Sequence, residues 1–222
     1  MDYSMYDTLL QLPLFRGIAE QDFNNVLQKV KLEFRRYDEG TSIVSAGDEC
    51  DSFVFLISGK LLSSKYSEEG NFTFEEVIDA PYLLEPYSMF GISAKYTRSY
   101  SSLSNTSILR INKQYIYSEF HKYNICRMNL LNMLSSRAQN LDKFIWSRRE
   151  FTLPERMTRF IQGLSEVPSG EKRLQIKMND FAILVDTTRI NVSRELNRLN
   201  AEGKVELRRK AIIIPALEKL NI

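Results

Sequence analysis

The 222-residue sequence contains little cysteine and histidine, and this scarcity excludes several classes of site. Its two cysteines, Cys50 and Cys126, lie far apart, so they form neither a disulfide framework nor a paired metal-binding motif. Free thiols are typical of the reducing cytoplasm, which is the compartment we expect. The single histidine, His121, follows an amphipathic segment and is interpreted as a surface or capping residue. We therefore predict no metal site.

Long apolar runs are also missing, because no stretch approaches the ~20 residues of a membrane-spanning helix. The first residues lack the basic start and apolar core of a signal peptide, so none is predicted. The composition, 43% hydrophobic and 26% charged, is that of a folded protein with room for two domains. No nucleophile with a partner base, phosphate-binding loop or metal pair is visible, so an enzyme is the least favoured hypothesis.

Residues 179–200 have the pattern of two short helices that meet at a tight turn, with threonines placed to cap the second. The apolar positions of the two segments are Phe181, Ala182, Val185, Val192, Leu196 and Leu199. The other faces of the second helix carry arginine, asparagine and serine, with Glu195 as the lone carboxylate. A solvated surface helix has the same pattern, but such a helix also suits the DNA major groove.

The residues that follow favour the DNA-binding interpretation. Two predicted strands, residues 204–207 and 211–214, flank the basic turn Arg208-Arg209-Lys210. A helix pair followed by a hairpin with a cationic tip is a winged helix-turn-helix, in which the tip can reach phosphate. Residues 170–222 hold eleven Lys and Arg against seven Asp and Glu, whereas the rest of the chain is net negative. Positive charge is therefore gathered where nucleic acid would bind.

The segment TTRINVSRELNRL resembles the recognition helix of the Crp/Fnr transcription regulators, whose usual form is close to S-R-E-T-V-S-R-x-L. Ile190 and Asn191 depart from that form at its Glu and Thr positions. The resemblance implies base contacts by Arg189, Ile190 and Arg194, with Ile190 facing a thymine methyl group instead of a cytosine. We also predict phosphate contacts by a further set of polar and basic residues, among which the resemblance implies the contact by Thr188. These are Thr188, Asn191, Ser193, Asn197, Arg208 and Arg209.

From Lys31 the apolar period changes to two, and short predicted strands alternate with glycine-containing turns. Many strands at this spacing indicate a closed or double-layered antiparallel sheet. The stretch RRYDEGTSIVSAGDECDSFVFLISGKL resembles the cyclic-nucleotide-binding β-roll. We therefore predict an α+β fold with an N-terminal antiparallel β-roll of the jelly-roll or double-stranded β-helix type. A long dimerisation helix and a C-terminal winged helix-turn-helix follow it.

A helix over residues 124–149 is predicted, with apolar residues at alternating steps of three and four, the spacing of a coiled-coil seam. The seam consists of Leu131, Leu134, Ala138, Leu141 and Ile145. It can pack on its own β-roll, pair with a twin, or do both, and we favour both. The predicted domains are residues 1–123 for the sensor, 124–150 for the long helix and 151–222 for DNA binding.

The family members that bind cyclic AMP have a Gly-Glu-Leu segment that precedes Arg-Ser-Ala, and only part of this cassette is present. Arg98 and Ser99 match the Arg-Ser pair, but a tyrosine replaces the small residue, and the Gly-Glu pair and two base-contacting hydroxyl residues are missing. The positions of the implied effector pocket are Tyr87, Ser88, Arg98, Ser99, Tyr100, Leu141 and Asp142. We expect no binding of cyclic AMP and no known cofactor; a different small-molecule effector stays open.

The leading hypothesis is a homodimeric, sequence-specific regulator of the Crp/Fnr type that binds a palindromic site on double-stranded DNA. The resemblance adds RNA polymerase as a partner without saying which surface contacts it, and no membrane contact is expected. The alternative is a module that binds a cyclic nucleotide or another small anion and whose main output is not DNA binding.

Overall fold

The computed structural model describes residues 3–146 and 151–220, with the side chains of residues 3–6 and 145 left out. The chain divides into two compact units, and each runs through two separate stretches. The first unit comprises residues 1–61 and 79–143, and the second comprises residues 62–78 and 144–222. The predicted boundaries at residues 123 and 150 remain a prediction, because they divide the chain by sequence and not by contacts.

The first unit is built on antiparallel strands. Its strands are β1 (Glu33–Tyr37), β2 (Ser42–Val44), β3 (Ser52–Ser58), β6 (Tyr82–Leu84), β7 (Ser99–Ser102) and β8 (Thr106–Asn112). Four of them form a sheet in the order β1-β8-β3-β6, while β2 pairs with β7. The central pair aligns Phe53 with Ile111 and Phe55 with Leu109. Because β3 is buried along most of its length, it forms the middle of this layer.

Helices of the first unit cover the sheet and complete its core. They are α1 (Tyr3–Gln11), α2 (Glu20–Lys29), α3 (Lys113–Ser118) and α4 (Asn124–Trp146), with 3₁₀ turns at Pro13–Phe15, Pro86–Met89 and Phe120–Lys122. Phe15 is fully buried, and its ring lies 5.0 Å from Phe23, 5.7 Å from Phe55 and 5.8 Å from Phe120. This aromatic cluster joins the N-terminal helices to the strand layer, since rings at these separations attract one another.

The second unit contains the predicted winged helix-turn-helix, with one further helix and three further strands. Its helices are α5 (Leu153–Leu164), α6 (Met178–Leu184) and α7 (Arg189–Ala201). Its strands are β4 (Lys60–Tyr66), which begins just before the unit boundary, β5 (Phe72–Asp79), β9 (Lys172–Ile176), β10 (Glu206–Arg208) and β11 (Ala211–Ile214). The strands lie in the order β10-β11-β9-β5-β4.

Local chemistry explains where α5 begins. The Thr152 backbone amide donates to the Glu155 carboxylate at 2.8 Å, and the Thr152 hydroxyl donates to the same carboxylate at 2.9 Å. Pro154 occupies the first turn, where a missing amide hydrogen costs nothing. This capping box stabilises the start of α5 at Leu153.

The α+β architecture expected from the sequence is confirmed, with three strands that the sequence analysis did not predict. They are β6, β7 and β9, and two of them are only three and four residues long. The first strand of the wing is displaced, since it spans Glu206–Arg208 instead of residues 204–207. Within the described residues, no helix combines the length and the apolar character that crossing a membrane requires.

Candidate nucleic-acid interface and effector region

The helix-turn-helix is held by one continuous core in the second unit. Val192, Leu196 and Leu199 of α7 are each at most 2% exposed. They pack in the same cluster as Phe181 and Ala182 of α6. Burial of this face sets the rotation of α7 about its axis, and the opposite face is left to solvent.

The three predicted base-contacting residues lie on that solvent face. Arg189 and Arg194 are exposed, and Ile190 is 70% exposed. In the part of the chain that the structure describes, neither guanidinium has a hydrogen-bond or ion-pair partner. A large exposed isoleucine between two unpaired arginines is unfavourable in water but suited to a surface that meets the edges of base pairs.

The turn before α7 is shaped by its own polar side chains. The Thr188 hydroxyl accepts from the backbone amide of Asn191 at 3.4 Å, and the Asn191 side-chain amide donates to the Thr187 hydroxyl at 3.3 Å. Asp186 adopts a left-handed backbone with φ of 49°. Thr188 is therefore the N-cap of the recognition helix, as the sequence predicted. Its predicted phosphate contact, and that of Asn191, remain predictions.

A third arginine of α7 behaves differently from Arg189 and Arg194. Arg198 donates to the Glu195 carboxylate at 2.5 Å and also pairs with Glu202. The hydrogen bond from Arg198 to Glu195 also raises the pKa of Arg198. Glu195, the lone carboxylate of the helix, is thus paired with Arg198. It therefore does not offset the positive charges of Arg189 and Arg194.

The wing is a tight antiparallel pair with basic residues at its end. Arg208 pairs with Ala211 in the strand register, so Arg208 belongs to β10 instead of the turn. Its guanidinium lies 3.1 Å from the Glu206 carboxylate. Arg209 is exposed at the tip, and Lys210 turns the chain with φ of 62°. Of the remaining predicted phosphate contacts, Ser193 and Asn197 are both exposed on α7.

The implied effector residues separate into a buried group and an exposed group. Arg98, Tyr100 and Ser88 are respectively 5%, 1% and 3% exposed, so they lie inside the first unit. Leu141 is 49% exposed on α4, and Asp142 is exposed beside it. The Ser99 hydroxyl accepts from the Ala46 amide at 3.0 Å, and Tyr87 lies under the Arg137 guanidinium at 3.7 Å. The predicted set therefore does not form one enclosed pocket in the single chain.

The centre of the buried group is a residue outside the predicted pocket positions. Glu85 is fully buried, and its carboxylate accepts from the Ser88 hydroxyl at 2.6 Å and from the Thr97 amide at 2.8 Å. The Tyr100 hydroxyl donates to the same carboxylate at 3.2 Å. Three donors from the same segment of the chain therefore compensate the burial of this carboxylate. Glu85 adopts a left-handed backbone with φ of 34°, and this turn, which directs its side chain inward, could not be predicted from the sequence.

An apolar cavity of about 140 Å³ lies elsewhere in the first unit. It is lined by Leu14, Phe53, Phe90, Ile116, Tyr117, Phe120, His121, Cys126, Arg127 and Leu130. Burial raises the pKa of the Cys126 thiol to about 11, which keeps it neutral at physiological pH. Among the described residues, no three His, Cys, Asp or Glu side chains group together in a way that could hold a metal ion.

Two family models match the chain and together cover most of it. Residues 34–123 match the cyclic nucleotide-binding domain, and residues 155–221 match the Crp-like helix-turn-helix domain. The second match contains the whole helix-turn-helix and wing described above. A comparison with curated protein sequences found no significant match.

Solved structures share the fold at low sequence identity. The catabolite activator protein of Thermus thermophilus has 21% identity and a TM-score of 0.52, over 94% of this chain and 96% of that one. The sensor domain of the transcriptional regulator DNR from Pseudomonas aeruginosa has 18% identity and a TM-score of 0.53, over 68% of this chain and 100% of that one. The N-terminal domain of a Streptomyces coelicolor transcriptional regulator has 16% identity and a TM-score of 0.51, over 66% and 100%.

The order of the two matched domains, the α+β fold and the exposed arginines of α7 agree with the resemblance found in the sequence. A DNA-binding transcription regulator is the function that this combination supports. The chain therefore joins a cyclic nucleotide-binding domain to a Crp-like helix-turn-helix domain, the combination that its resemblance to the Crp/Fnr regulators predicted.

Proposed function

We propose that the protein is a homodimeric regulator that reads a palindromic DNA site with α7. The observation that carries the proposal is the exposed trio of Arg189, Ile190 and Arg194 on a helix whose other face is locked in the core. Arginine can donate two hydrogen bonds to guanine O6 and N7, and an aliphatic side chain can pack on a thymine methyl group. We therefore expect a half-site with guanines beside a thymine.

Phosphate contacts would fix the register of the helix in the groove. The candidates around α7 are Thr188, Asn191, Ser193 and Asn197, and those of the wing are Arg208 and Arg209. Arg209 is the stronger wing candidate, because Arg208 already pairs with Glu206. Such contacts add affinity that is lost as salt rises, and they carry no direct sequence information.

Dimer formation through α4 is supported by the apolar side chains that the helix leaves in solvent. Leu131 and Leu141 are 50% and 49% exposed, and Met128 beside them is 49% exposed. Leu134 is half-buried and Ala138 is exposed, while the side chain of Ile145 lies outside the described residues. A 23-residue helix is about 35 Å long, enough for a paired seam of several turns. Twofold pairing would present two copies of α7 to successive major grooves.

The sensor region is proposed not to bind cyclic AMP. The Glu85 carboxylate is held by Ser88, Thr97 and Tyr100, and the fully buried Tyr100 stands where the cassette needs a small residue. The Tyr100 side chain fills space that the small residue of the cassette leaves open, and the Ser88 hydroxyl and the Thr97 amide already have an acceptor. Titration calorimetry with cyclic AMP and cyclic GMP should therefore show no binding heat.

Selection of bound sequences from a random pool of duplexes tests the DNA proposal. We expect enrichment of an inverted repeat with half-sites about 10 base pairs apart, centre to centre. The Arg189→Ala variant serves as the control, and it should enrich a pool with weaker preference at one position of each half-site. The proposal is wrong if the wild-type protein enriches no motif at low salt, or if Arg189→Ala enriches the same motif with equal strength.

A further inference from the structure

The sheet of the winged helix-turn-helix contains a strand that comes from the N-terminal half of the chain. β5 pairs with β9 in antiparallel register, from Phe72 opposite Ile176 to Glu76 opposite Lys172. On its other edge β9 pairs with β11, the second strand of the wing. Yet β5 lies within residues 34–123, the part that matches the cyclic nucleotide-binding domain. The β4–β5 hairpin, residues 60–79, therefore belongs by sequence to the cyclic nucleotide-binding domain. By its contacts, most of it belongs to the unit that contains the winged helix-turn-helix.

Apolar packing accompanies the strand pairing. Phe74 is 1% exposed and belongs to the core cluster that also contains Leu196 of the recognition helix. The ring of Phe72 lies 5.7 Å from that of Phe160 on α5, in an edge-to-face arrangement. The hairpin therefore completes the core under the DNA-binding helices, and its removal would open that core to water.

A buried ion pair lies at the end of the same register. The side chains of Lys172 and Glu76 have no solvent exposure, and their Nζ and Oε2 atoms are 3.0 Å apart. Lys172 also donates to the Ser169 carbonyl at 2.8 Å. The Glu76 carboxylate accepts from the Glu166 amide at 2.9 Å and the Val167 amide at 3.3 Å. The Glu76 carboxylate thus joins the hairpin both to β9 and to the segment that follows α5.

This arrangement makes hairpin docking cooperative. If β5 leaves β9, Lys172 loses its counterion, and the amides of Glu166 and Val167 lose an acceptor. Breaking a buried pair by removing one partner is far more costly than replacing both partners by apolar groups of similar size. Departure of β5 also leaves the edge of β9 unpaired in a sheet that continues into the wing.

We propose that Glu76 and Lys172 are positioning residues for DNA binding, which hold the β4–β5 hairpin as a necessary strand of the DNA-binding sheet. Only the winged helix-turn-helix with the hairpin docked has its core and wing complete, so undocking lowers the fraction of protein competent to bind. Affinity falls by that fraction. The DNA part of this proposal rests on the proposed function, whereas the docking part does not.

The test compares four variants of the full chain with the wild type. Glu76→Gln removes one charge of the pair, and Glu76→Asp keeps the charge but shortens its reach. The double variant Glu76→Met with Lys172→Met replaces both charges by apolar groups of similar length. Glu75→Gln is the matched control, since Glu75 is the neighbouring residue, lies opposite Arg173 and is only half-buried.

Amide hydrogen exchange of residues 72–76 and 172–176 reports docking, and fluorescence anisotropy with the selected duplex reports DNA affinity. Glu76→Gln should speed exchange in both strands on the order of 100-fold and weaken DNA binding at least about fivefold. Glu76→Asp should give a smaller change in the same direction. The double variant should restore both values to within about threefold of wild type, and Glu75→Gln should change neither.

The outcomes distinguish the role of the ion pair in hairpin docking from its role in DNA binding. Unchanged exchange in Glu76→Gln overturns the docking role of the ion pair. Faster exchange with unchanged DNA affinity overturns the positioning role and leaves a purely structural pair. Should Glu76→Gln not fold, Glu76→Asp and the double variant decide the matter by the same two readouts. Absence of DNA binding by the wild type would contradict the proposed function, and exchange would still report on docking.

Discussion

Arg194 and Arg198 allow a matched test of the recognition helix, because the same substitution can be made at two arginines of α7 with different environments. The Arg194 guanidinium is exposed and has no partner among the described residues, whereas Arg198 is held by Glu195 and Glu202. Arg194→Ala should therefore remove a base contact, and Arg198→Ala should remove a charge that the protein already neutralises.

The expected loss of DNA-binding free energy in Arg194→Ala follows from the contact that is removed and from the twofold symmetry of the proposed dimer. Loss of one arginine contact to a guanine costs about 1–3 kcal/mol per half-site. Because a dimer presents α7 twice, and the half-sites are far enough apart to be additive, the total is about 2–6 kcal/mol. Arg198→Ala should weaken binding less than about threefold, since it makes no base contact in this assignment.

Anisotropy titrations at one fixed salt concentration measure both variants against the selected operator and its single-base variants. Arg194→Ala should bind weakly and lose discrimination at one base pair of each half-site, while Arg198→Ala keeps the wild-type order of preference. Thermal unfolding is the accompanying control, because replacing an exposed, unpaired side chain changes stability by less than about 0.5 kcal/mol. Equal losses for the two variants, or unchanged discrimination in Arg194→Ala, would refute the assignment of base contacts.

Three further predictions concern stability and thiol chemistry. Leu196→Ala should destabilise the second unit by about 2–5 kcal/mol in chemical unfolding, because Leu196 is 2% exposed, and an unaltered midpoint would contradict this core assignment. Gly59→Ala should lower the free energy of unfolding by about 3 kcal/mol or more in chemical unfolding, since φ is 91° and the added Cβ would lie 2.6 Å from the Asn105 carbonyl oxygen. Gly40→Ala, with φ of 80° and no atom within 4 Å of the added Cβ, should lower it clearly less, and equal losses would contradict the steric argument. At pH 8 the Cys126 thiolate should be about a thousandth of the population, as its pKa is about 11, so iodoacetamide should label folded protein slowly and faster as pH rises. Labelling of Cys126 at the rate of a free thiol would show that it is not buried.

The parts of the fold that the sequence predicted correctly are those with strong local patterns. The seam of Val192, Leu196 and Leu199 is buried as expected, because helical periodicity depends only on neighbours in sequence. Thr188 was recognisable as a cap for the same reason. The short polar strand β7, by contrast, has no apolar alternation for a pattern to detect, and it is defined by its pairing with β2.

The candidate effector region shows a different limit of sequence reasoning. Matching by register assigned the important positions to Tyr87 and Ser88, and left Glu85 outside the cassette. The structure instead brings the Glu85 carboxylate to the Ser88 hydroxyl and the Thr97 amide through a left-handed turn. The buried carboxylate of this segment is therefore Glu85, three positions before Ser88, where the register of the cassette places the family's Glu. Register alone could not predict this, because the backbone turn decides which carboxylate faces inward.

Lys172 illustrates why pairing between distant strands is the hardest feature to predict. A lysine at the start of a strand is normally exposed, and residues 172–176 carry two further polar side chains, so they do not have the pattern of a buried strand. The side chain is buried only because Glu76, 96 residues earlier, supplies the opposite charge. Each residue taken alone indicates a surface position, and only together do they permit burial. The pairing of β5 with β9 therefore depends on two opposite charges, Glu76 and Lys172. The residues next to each of them in the sequence do not predict that either side chain is buried.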